Sequence, residues 1–199
     1  MNMRNLILSL LMGSLLANCS NAQQFLVATS GPDGYQLLIS KKEFAQRFDR
    51  DIAPFLGDGK TTEKFSFEDL FIDDPSPDDN GTHAYLVLKA SSDRHTISIG
   101  VTLIKNIMTE QVTRLYIPSL IELNEANTAN SMAGDEAGWK CTSIKTDCGG
   151  CRRVRENGVV VACPCFSGDG NCSFEIIGGG GNNWPAWLTT VITTILRMF

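Results

Sequence analysis

Cysteine is missing from residues 20–140, and histidine occurs only twice, at His83 and His95. The sequence also has no Gly-x-Ser-x-Gly elbow, no glycine-rich phosphate loop and no HExxH motif, so it lacks the short signatures of common hydrolases, nucleotide-binding proteins and zinc proteases. Each histidine adjoins a predicted strand without a metal ligand at suitable spacing, and we expect both side chains to face solvent at strand ends. We therefore predict a non-enzymatic protein with no catalytic residue and no cofactor.

Basic residues are scarce in most of the chain. Residues 23–136 carry 18 acidic and 10 basic residues, a net charge of −8, whereas residues 137–199 carry 4 acidic and 6 basic residues, a net charge of +2. Nucleic-acid binding relies on a basic surface that neutralises phosphates. The only basic cluster, Arg152, Arg153 and Arg155, is too small to provide one. The charge pattern therefore excludes nucleic acid as a partner.

The apolar run near the N-terminus is short. Arg4 precedes the run Leu6–Ala17, and residues 20–22 form a small-x-small cleavage site. A membrane-spanning helix needs roughly 20 apolar residues, so we interpret residues 1–22 as a signal peptide. The mature protein would then be secreted, periplasmic or located at the cell surface. An alternative is a bacterial lipobox that ends at Cys19, in which case that cysteine would carry a lipid anchor.

Six cysteines remain once Cys19 is removed or acylated, and they are confined to residues 141–172. They are Cys141, Cys148, Cys151, Cys163, Cys165 and Cys172. An even number of cysteines in an exported chain predicts a disulfide framework, here with three bridges. Six cysteines allow 15 connectivities, and the sequence does not choose among them.

A β-hairpin is predicted inside this segment. Asn157-Gly158 is a strong two-residue turn signal, and short runs suited to strands lie on either side of it. Such a turn places Cys151 opposite Pro164, so Cys151 points to the other face of the hairpin from Cys163 and Cys165. We therefore expect Cys151 to form its disulfide with neither of those two cysteines.

Two alternatives give the cysteines a chemical role. Four thiolates could bind zinc or an iron–sulfur cluster through the pairs Cys148-x2-Cys151 and Cys163-x-Cys165. The first pair, followed directly by two arginines, could instead have a lowered thiol pKa and take part in thiol exchange. We favour disulfides over the metal site because export exposes thiols to oxidation before a metal ion arrives. We favour them over thiol exchange because redox CxxC motifs usually open a helix after a strand, whereas this one leads into a hairpin.

The region before the cysteines is predicted to be a small α+β unit. A short strand at 35–40 leads into a helix over 41–53, for which Ser40 and Glu43 form a capping box. The helix has one apolar face with helical spacing, formed by Phe44, Phe48, Ile52 and Phe55.

Three strands follow, at 85–90, 95–105 and 112–117, and short turns join them into an antiparallel meander. The central strand alternates apolar with polar residues, the apolar ones being Ile97, Ile99, Val101 and Leu103. Residues 65–72 are apolar and fit either a strand or a helix. The predicted fold is α+β: a small antiparallel meander covered by one helix, followed by a disulfide-rich hairpin module and a C-terminal amphipathic helix.

The last 22 residues are predicted to be a glycine hinge followed by an amphipathic helix. Its apolar stripe has unbroken helical spacing and consists of Trp184, Trp187, Leu188, Val191, Ile192, Ile195, Leu196 and Phe199. Three surfaces could cover this stripe: the sheet of the preceding unit, a membrane interface, or a partner protein. As candidate contact residues for a membrane or a partner, these eight side chains form the second predicted site.

The predicted domain organisation is a signal peptide (1–22), an α+β body (23–121), a linker (122–138), a cysteine-rich module (139–177), and the hinge with its helix (178–199). The alternating strand Ile97–Leu103 and the cysteine spacing from Cys141 to Cys172 resemble small exported bacterial proteins with a C-terminal six-cysteine module. Those proteins have no established activity, so the resemblance implies export and a disulfide-rich module but no particular chemistry.

We therefore predict an exported, disulfide-stabilised, non-enzymatic interaction protein whose partner is an unknown protein or cell-surface component. One alternative is a metal or iron–sulfur protein that uses the cysteine module. Another is a protein that associates peripherally with membranes through its C-terminal helix.

Overall fold

The computed structural model describes residues 25–31, 34–57, 63–74, 84–109, 112–117, 136–146, 148, 150–156, 159–166, 170, 172–178 and 184–199. The predicted signal peptide, Cys19 as a lipidation site, His83 and the linker over residues 122–135 lie outside these residues. Within them, the protein is mainly an antiparallel sheet with two α-helices.

The elements follow the chain in the order β1 (Phe25–Gly31), β2 (Gly34–Leu37), α1 (Lys41–Asp51), a 3-10 turn (Ala53–Phe55), β3 (Ser66–Asp73), β4 (Ala84–Ser91), β5 (His95–Thr109), β6 (Val112–Ile117), β7 (Glu136–Ile144), β8 (Val154–Glu156), β9 (Val159–Ala162), β10 (Cys172–Gly178) and α2 (Ala186–Leu196). Eight strands form one sheet, and β8 and β9 form a separate hairpin.

The 15-residue strand β5 organises the sheet. Its first half lies between β4 and β7, and its second half pairs with β6. Beyond these neighbours, β3 pairs with β4, β10 pairs with β7, and β1 connects β6 to β2. The predicted meander and the α+β class are confirmed, and residues 66–73 are a strand rather than a helix.

The predicted boundary between a body (23–121) and a cysteine-rich module (139–177) does not match the sheet. β7 pairs with β5 from Ile144↔His95 to Gly138↔Val101, and β10 pairs with β7 in turn. Residues 136–138, predicted as the end of the linker, are therefore part of a strand. The sequence of β7 shows no clear apolar–polar alternation, because the close approach of β7 and β5 requires glycine at two positions. A Cβ atom on Gly138 would lie 2.3 Å from the Gly100 carbonyl oxygen, and a Cβ atom on Gly100 would lie 2.2 Å from the Trp139 ring.

The sheet has two covered faces, which we call the helix face and the hairpin face. On the helix face, side chains such as Leu86, Leu88 and Ile99 pack against α1 and α2 in the larger hydrophobic cluster. On the hairpin face, Tyr85 and Trp139 belong to a second cluster that the β8–β9 hairpin covers. The alternation of side chains along each strand produces this division, since successive residues point to opposite faces.

Helix α1 begins as predicted, because the Ser40 hydroxyl accepts a hydrogen bond from the Glu43 amide at 3.3 Å. Phe44 and Phe48 are buried on the helix face, together with Ile52 just beyond the helix. Phe55 is 47% exposed instead, because the chain leaves the α-helix at Asp51 and turns through a 3-10 segment. The prediction that Phe55 continues the buried stripe is therefore wrong.

Helix α2 packs on the same face, so two helices cover the sheet where one was predicted. Five of its stripe residues are buried in the larger cluster, and they are Trp187, Leu188, Val191, Ile192 and Ile195. Trp184 and Leu196 are partly buried against that cluster, while Phe199 is 56% exposed with its ring 6.1 Å from that of Phe25. Among the described residues, no helix is long and apolar enough to cross a membrane.

This packing corrects the assignment of the stripe to a membrane or a partner protein. Burial of a large apolar side chain contributes about 1.5–3 kcal/mol, and the sheet already receives five of them. The stripe is consequently part of the protein's own core, as in the first of the three alternatives.

Candidate functional site: the stapled hairpin

The predicted turn at residues 157–158 lies outside the described residues, but the strands on either side of it pair and acquire a bulge. Glu156 pairs with Val159 and Arg155 with Val160, as a two-residue turn requires, and then the register shifts by one residue. As a result Cys151 forms a backbone bridge with Cys165 rather than lying opposite Pro164. The expected opposition of Cys151 and Pro164 is wrong because the second strand carries one extra residue, which is what defines a β-bulge.

Three disulfides connect the six cysteines: Cys141–Cys163, Cys148–Cys165 and Cys151–Cys172. Their Cα–Cα distances are 6.1, 5.5 and 6.1 Å, inside the usual range for a bridge. The predicted disulfide framework is confirmed, and Cys151 bonds with neither Cys163 nor Cys165. Disulfides of this kind suggest a location outside the reducing cytosol.

Cys141–Cys163 ties the hairpin directly to the sheet. Cys141 lies on β7 with its side chain on the hairpin face, and Cys163 directly follows β9. The two residues are 2% and 4% exposed, so the bridge is shielded from solvent. This bridge closes the hydrophobic cluster under the hairpin.

The other two disulfides lie in contact with each other at the base of the hairpin. The Sγ atom of Cys172 is 3.5 Å from that of Cys148 and 3.8 Å from that of Cys165. We call Cys148, Cys151, Cys165 and Cys172 the four-sulfur cluster. The predicted metal-ligand set differs from it at one position, because Cys163 is bonded to Cys141 on the sheet and Cys172 takes its place beside the other three.

Two arginines of the hairpin bind one carboxylate of the sheet. Arg153 and Arg155 both form ion pairs with Asp73, the last residue of β3. Burial lowers the pKa of Arg153, and the Asp73 carboxylate opposes that shift. The basic cluster seen in the sequence is thus mainly a structural contact between the hairpin and the sheet.

The same arginines lie over aromatic rings of the hairpin face. The Arg153 guanidinium is 5.5 Å from the centre of the Trp139 ring, and the Arg155 guanidinium is 5.7 Å from the Tyr85 ring. Cation–π contacts of this kind stabilise by about 0.5–2 kcal/mol each, with the larger values at desolvated sites. Together with Asp73, these rings hold the hairpin where it has few aliphatic side chains to bury.

Trp139 is fully buried, and its position requires a glycine on the neighbouring strand. A Cβ atom on Gly100 would lie 2.2 Å from the Trp139 ring. The indole Nε1 and the Nη1 of Arg155 are both buried without a hydrogen-bond partner in the described part of the chain. Buried polar atoms without partners reduce stability, so the packing of the aromatic rings has to outweigh the cost of burying two N–H groups that lack hydrogen bonds.

Phe166 is the most exposed of the large hydrophobic side chains that the structure describes, at 67%. Its backbone is nevertheless fixed, because its amide donates to the Gly150 carbonyl at 2.8 Å and the preceding residue is bridged Cys165. Gly150 has a φ of +130°, and a Cβ atom there would lie 3.3 Å from the Phe166 ring. Phe166 is not among the site residues predicted from the sequence, although an aromatic side chain directly after a predicted disulfide cysteine is a usable signal.

His95 is not the solvent-facing histidine that the sequence predicted. Its Nδ1 lies 2.7 Å from a carboxylate oxygen of Glu63, and its amide donates to the Ser92 hydroxyl at 2.9 Å. Burial raises the pKa of Glu63, but hydrogen bonds from Ser92 and His95 outweigh burial, so the net pKa is lowered. The Ser92 hydroxyl bonds the carboxylate rather than the imidazole, so the three residues stabilise a turn and do not form a nucleophile–base pair.

A second group of polar side chains is buried where β3 ends beside the second half of β5. Lys105 and Asp74 form an ion pair at 2.8 Å with 4% and 3% of their side chains exposed. The Tyr35 hydroxyl donates to Asp74 at 2.6 Å, and burial together with that carboxylate raises the pKa of Tyr35. Every member has a partner, so this group stabilises the junction of β2, β3 and β5.

The stapled hairpin therefore combines a backbone tied by three disulfides, two of which are in contact, with an exposed aromatic ring. A fold alone does not define a function, which has to be argued from such a site. Comparison of the chain with protein-family models, with curated proteins and with solved structures gives no match.

Proposed function

We propose that the chain is an exported, non-enzymatic binding protein that uses the stapled hairpin to present Phe166 to another protein. The observation that carries this proposal is the 67% exposure of Phe166 on a backbone fixed by a disulfide and a hydrogen bond. Exposed aromatic rings in fixed positions are typical of the few residues that dominate the affinity of protein interfaces.

The rigidity of the segment is what makes Phe166 suited to binding. Ordering a mobile side chain and its loop on association costs about 0.5–1.5 kcal/mol for each side chain. Cys148–Cys165 holds the residue before Phe166, and Gly150 leaves room for the ring itself. The backbone part of that cost is therefore met during folding, before the partner arrives.

The neighbouring edge of the sheet supports a protein as the partner. Among the described residues, β10 pairs only with β7 and is an edge strand of the sheet, the position at which an added strand pairs. Ile176 is 51% exposed and shares the hairpin face with Phe174. An extended peptide beside β10 would gain main-chain hydrogen bonds and place apolar side chains against Ile176.

Export is the second part of the proposal. Three disulfides form and persist in an oxidising compartment, which agrees with the signal peptide interpreted from residues 1–22. Free secretion and a lipid anchor at Cys19 place the binding surface in the same compartment. Intact mass of the mature protein distinguishes them, since cleavage before Gln23 and an acylated Cys19 give different N-terminal masses.

The binding role can be tested by site-specific photo-crosslinking in an exporting bacterium. A photoreactive phenylalanine analogue is placed at Phe166 or, as a matched control, at Phe55, which is 47% exposed but lies in the 3-10 turn after α1. We expect one or a few defined protein adducts from position 166 and none from position 55. Mass spectrometry of the adducts identifies the partner.

A substitution then measures how much Phe166 contributes. We expect Phe166→Ser to weaken binding of the identified partner by about 2 kcal/mol or more, roughly 30-fold, while Phe55→Ser leaves it unchanged. Thermal unfolding of both variants checks that the fold is kept. Equal adducts from both positions, or no adduct from position 166, would contradict the proposed function.

A further inference from the structure

The four-sulfur cluster brings two disulfides unusually close together. Besides the contacts of Cys172 with Cys148 and Cys165, the Sγ atoms of Cys148, Cys151 and Cys172 all lie within 4.8 Å of one another. We propose that the cluster holds one Zn²⁺ ion through four thiolates when both of its disulfides are reduced. This inference is independent of the binding role proposed for Phe166.

The spacing of the sulfur atoms fits a single tetrahedral ion. A Zn–S bond of about 2.3 Å places neighbouring sulfurs of a tetrahedral site about 3.8 Å apart. The contacts of Cys172 with Cys148 and Cys165, at 3.5 and 3.8 Å, already have nearly that length. Opening each disulfide requires its two sulfurs to separate by only roughly 1.7 Å more. The sulfurs that lie mutually within 4.8 Å are those of Cys148, Cys151 and Cys172, so the Cys165 sulfur has to move toward them for all four to reach one ion. The space between these atoms is too small for the several metal atoms of an iron–sulfur cluster.

Main-chain contacts position the cysteines of the cluster in addition to the disulfides. The Cys148 amide donates to the Ile144 carbonyl at 3.0 Å, Cys151 forms a backbone bridge with Cys165, and Cys172 begins a strand paired with β7. Reduction removes the S–S bonds but leaves these main-chain contacts. The ligands are therefore largely preorganised, which reduces the ordering that zinc binding has to induce.

The third disulfide is expected to stay out of the site. Cys141 and Cys163 are 2% and 4% exposed and belong to the hydrophobic cluster that contains Trp139. Cys148 is also buried, at 3% exposure, but Cys151, Cys165 and Cys172 are only partly buried, so each bridge of the four-sulfur cluster offers a reductant at least one accessible sulfur. Mild reduction then yields four thiols and leaves one bridge, and the hairpin remains tied to the sheet.

The chemistry balances with a phosphine as reductant. For each disulfide the phosphine supplies two electrons and takes the oxygen of one water molecule, and the two sulfurs take up the two protons of that water. Two phosphine molecules thus convert the cluster into four thiols and two phosphine oxides. Zn²⁺ binding as a tetrathiolate then displaces the four thiol protons to solvent, so affinity rises with pH.

Four thiolates in a tetrahedral arrangement favour Zn²⁺ over Mg²⁺ or Ca²⁺, which prefer oxygen ligands.

The test uses the full mature chain, reduced under native conditions with a phosphine and kept free of oxygen. Zinc alone is added, native mass spectrometry counts the bound ions, and competition with a chromophoric chelator gives the affinity. We expect one Zn²⁺ per chain after reduction and none in the oxidised protein. A reduced, folded chain that binds no zinc would overturn the proposal.

Paired substitutions assign the ligands without leaving an unmatched thiol. Cys148→Ser/Cys165→Ser and Cys151→Ser/Cys172→Ser each remove half of the proposed site, whereas Cys141→Ser/Cys163→Ser is the matched control. The first two pairs should lower zinc affinity by roughly three orders of magnitude or more, and the control should bind as the native chain does. Equal loss in all three variants would contradict the assignment.

Differential alkylation of the unmodified chain gives the same assignment without depending on how variants fold. The reduced protein is alkylated with and without zinc, and peptide masses then report which thiols the ion shields. Zinc should protect Cys148, Cys151, Cys165 and Cys172. Protection of Cys163 in place of Cys172, or equal alkylation of all cysteines with and without zinc, would overturn the proposal.

Discussion

The two faces of one sheet are covered in two physically different ways. On the helix face, two helices of 11 residues each bury an almost wholly apolar set of side chains, among them Phe44, Phe48 and Leu188. On the hairpin face, strands of three and four residues offer Val160 as their buried aliphatic side chain. The rest of that contact consists of disulfides, aromatic rings and two arginines bound to Asp73.

The difference shows what a short hairpin needs in order to stay packed on a sheet. Apolar burial contributes about 25 cal/mol per Å², so a long helix supplies enough area by itself and a hairpin of this size does not. Each disulfide adds roughly 2–4 kcal/mol, largely by restricting the unfolded chain. The hairpin is thus fixed by disulfides and ion pairs. Because Phe166 is not needed to bury apolar area against the sheet, its side chain can face solvent.

The largest effect is expected from Trp139→Ala, because this ring is the largest side chain buried on the hairpin face. Its loss leaves a cavity between Gly100, Tyr85 and the hairpin and should lower the free energy of unfolding by about 4 kcal/mol. Chemical denaturation measures the change. A loss below about 1 kcal/mol would mean that the hairpin collapses into the space and that the aromatic contact matters little.

Leu188→Ala tests the opposite face. Leu188 is fully buried by α2, and its truncation should cost about 3 kcal/mol of unfolding free energy. Thr189→Ala, at the adjacent exposed position, is the control and should change stability by no more than about 0.5 kcal/mol. If the two variants were equally stable, α2 would not be part of the core in solution, and the membrane and partner alternatives for its stripe would return.

Asp73→Asn separates charge from packing on the hairpin face. It leaves Arg153 and Arg155 without their carboxylate while the shape of the side chain is kept, and we expect a loss of about 2 kcal/mol. Asp93→Asn in an exposed turn is the control. High salt should reduce the difference between the two variants only slightly, because the ion pairs are mostly buried; a difference that salt abolishes would contradict the account.

The smallest effect is expected from Glu63→Gln, because Glu63 belongs neither to the two helices nor to the hairpin that pack on the sheet. The pKa of Glu63 is lowered in the folded protein, so its contribution is present above the unfolded value near 4.5 and is lost as the pH falls through the folded pKa. We expect a deficit of about 1 kcal/mol at pH 7 that disappears in acid. Stability curves of both proteins against pH should therefore converge once the pH falls below the lowered pKa of Glu63, and parallel curves would disprove the linkage.

Local patterns predicted most of the helix face and little of the hairpin face. Helix α1, its Ser40 cap, strands β4 to β6 and the stripe of α2 follow from periodicity, since each depends on neighbours in sequence. The membership of β7 and β10 in the sheet depends on pairings between residues 29 to 49 apart, and β7 carries no clear alternation. Likewise, the Asp73–Arg153 contact joins residues 80 apart, and the bulge that moved Cys151 opposite Cys165 has no sequence signature.

Native-state hydrogen exchange with and without enough phosphine to reduce all three disulfides, in the presence of a zinc chelator, tests the central comparison most directly. If disulfides hold the hairpin and apolar packing holds the helices, reduction should accelerate exchange of the β8 and β9 amides by roughly 30-fold or more and leave the slow amides of α1, α2 and β5 unchanged. Equal acceleration on both faces, or unchanged protection in the hairpin, would contradict the account.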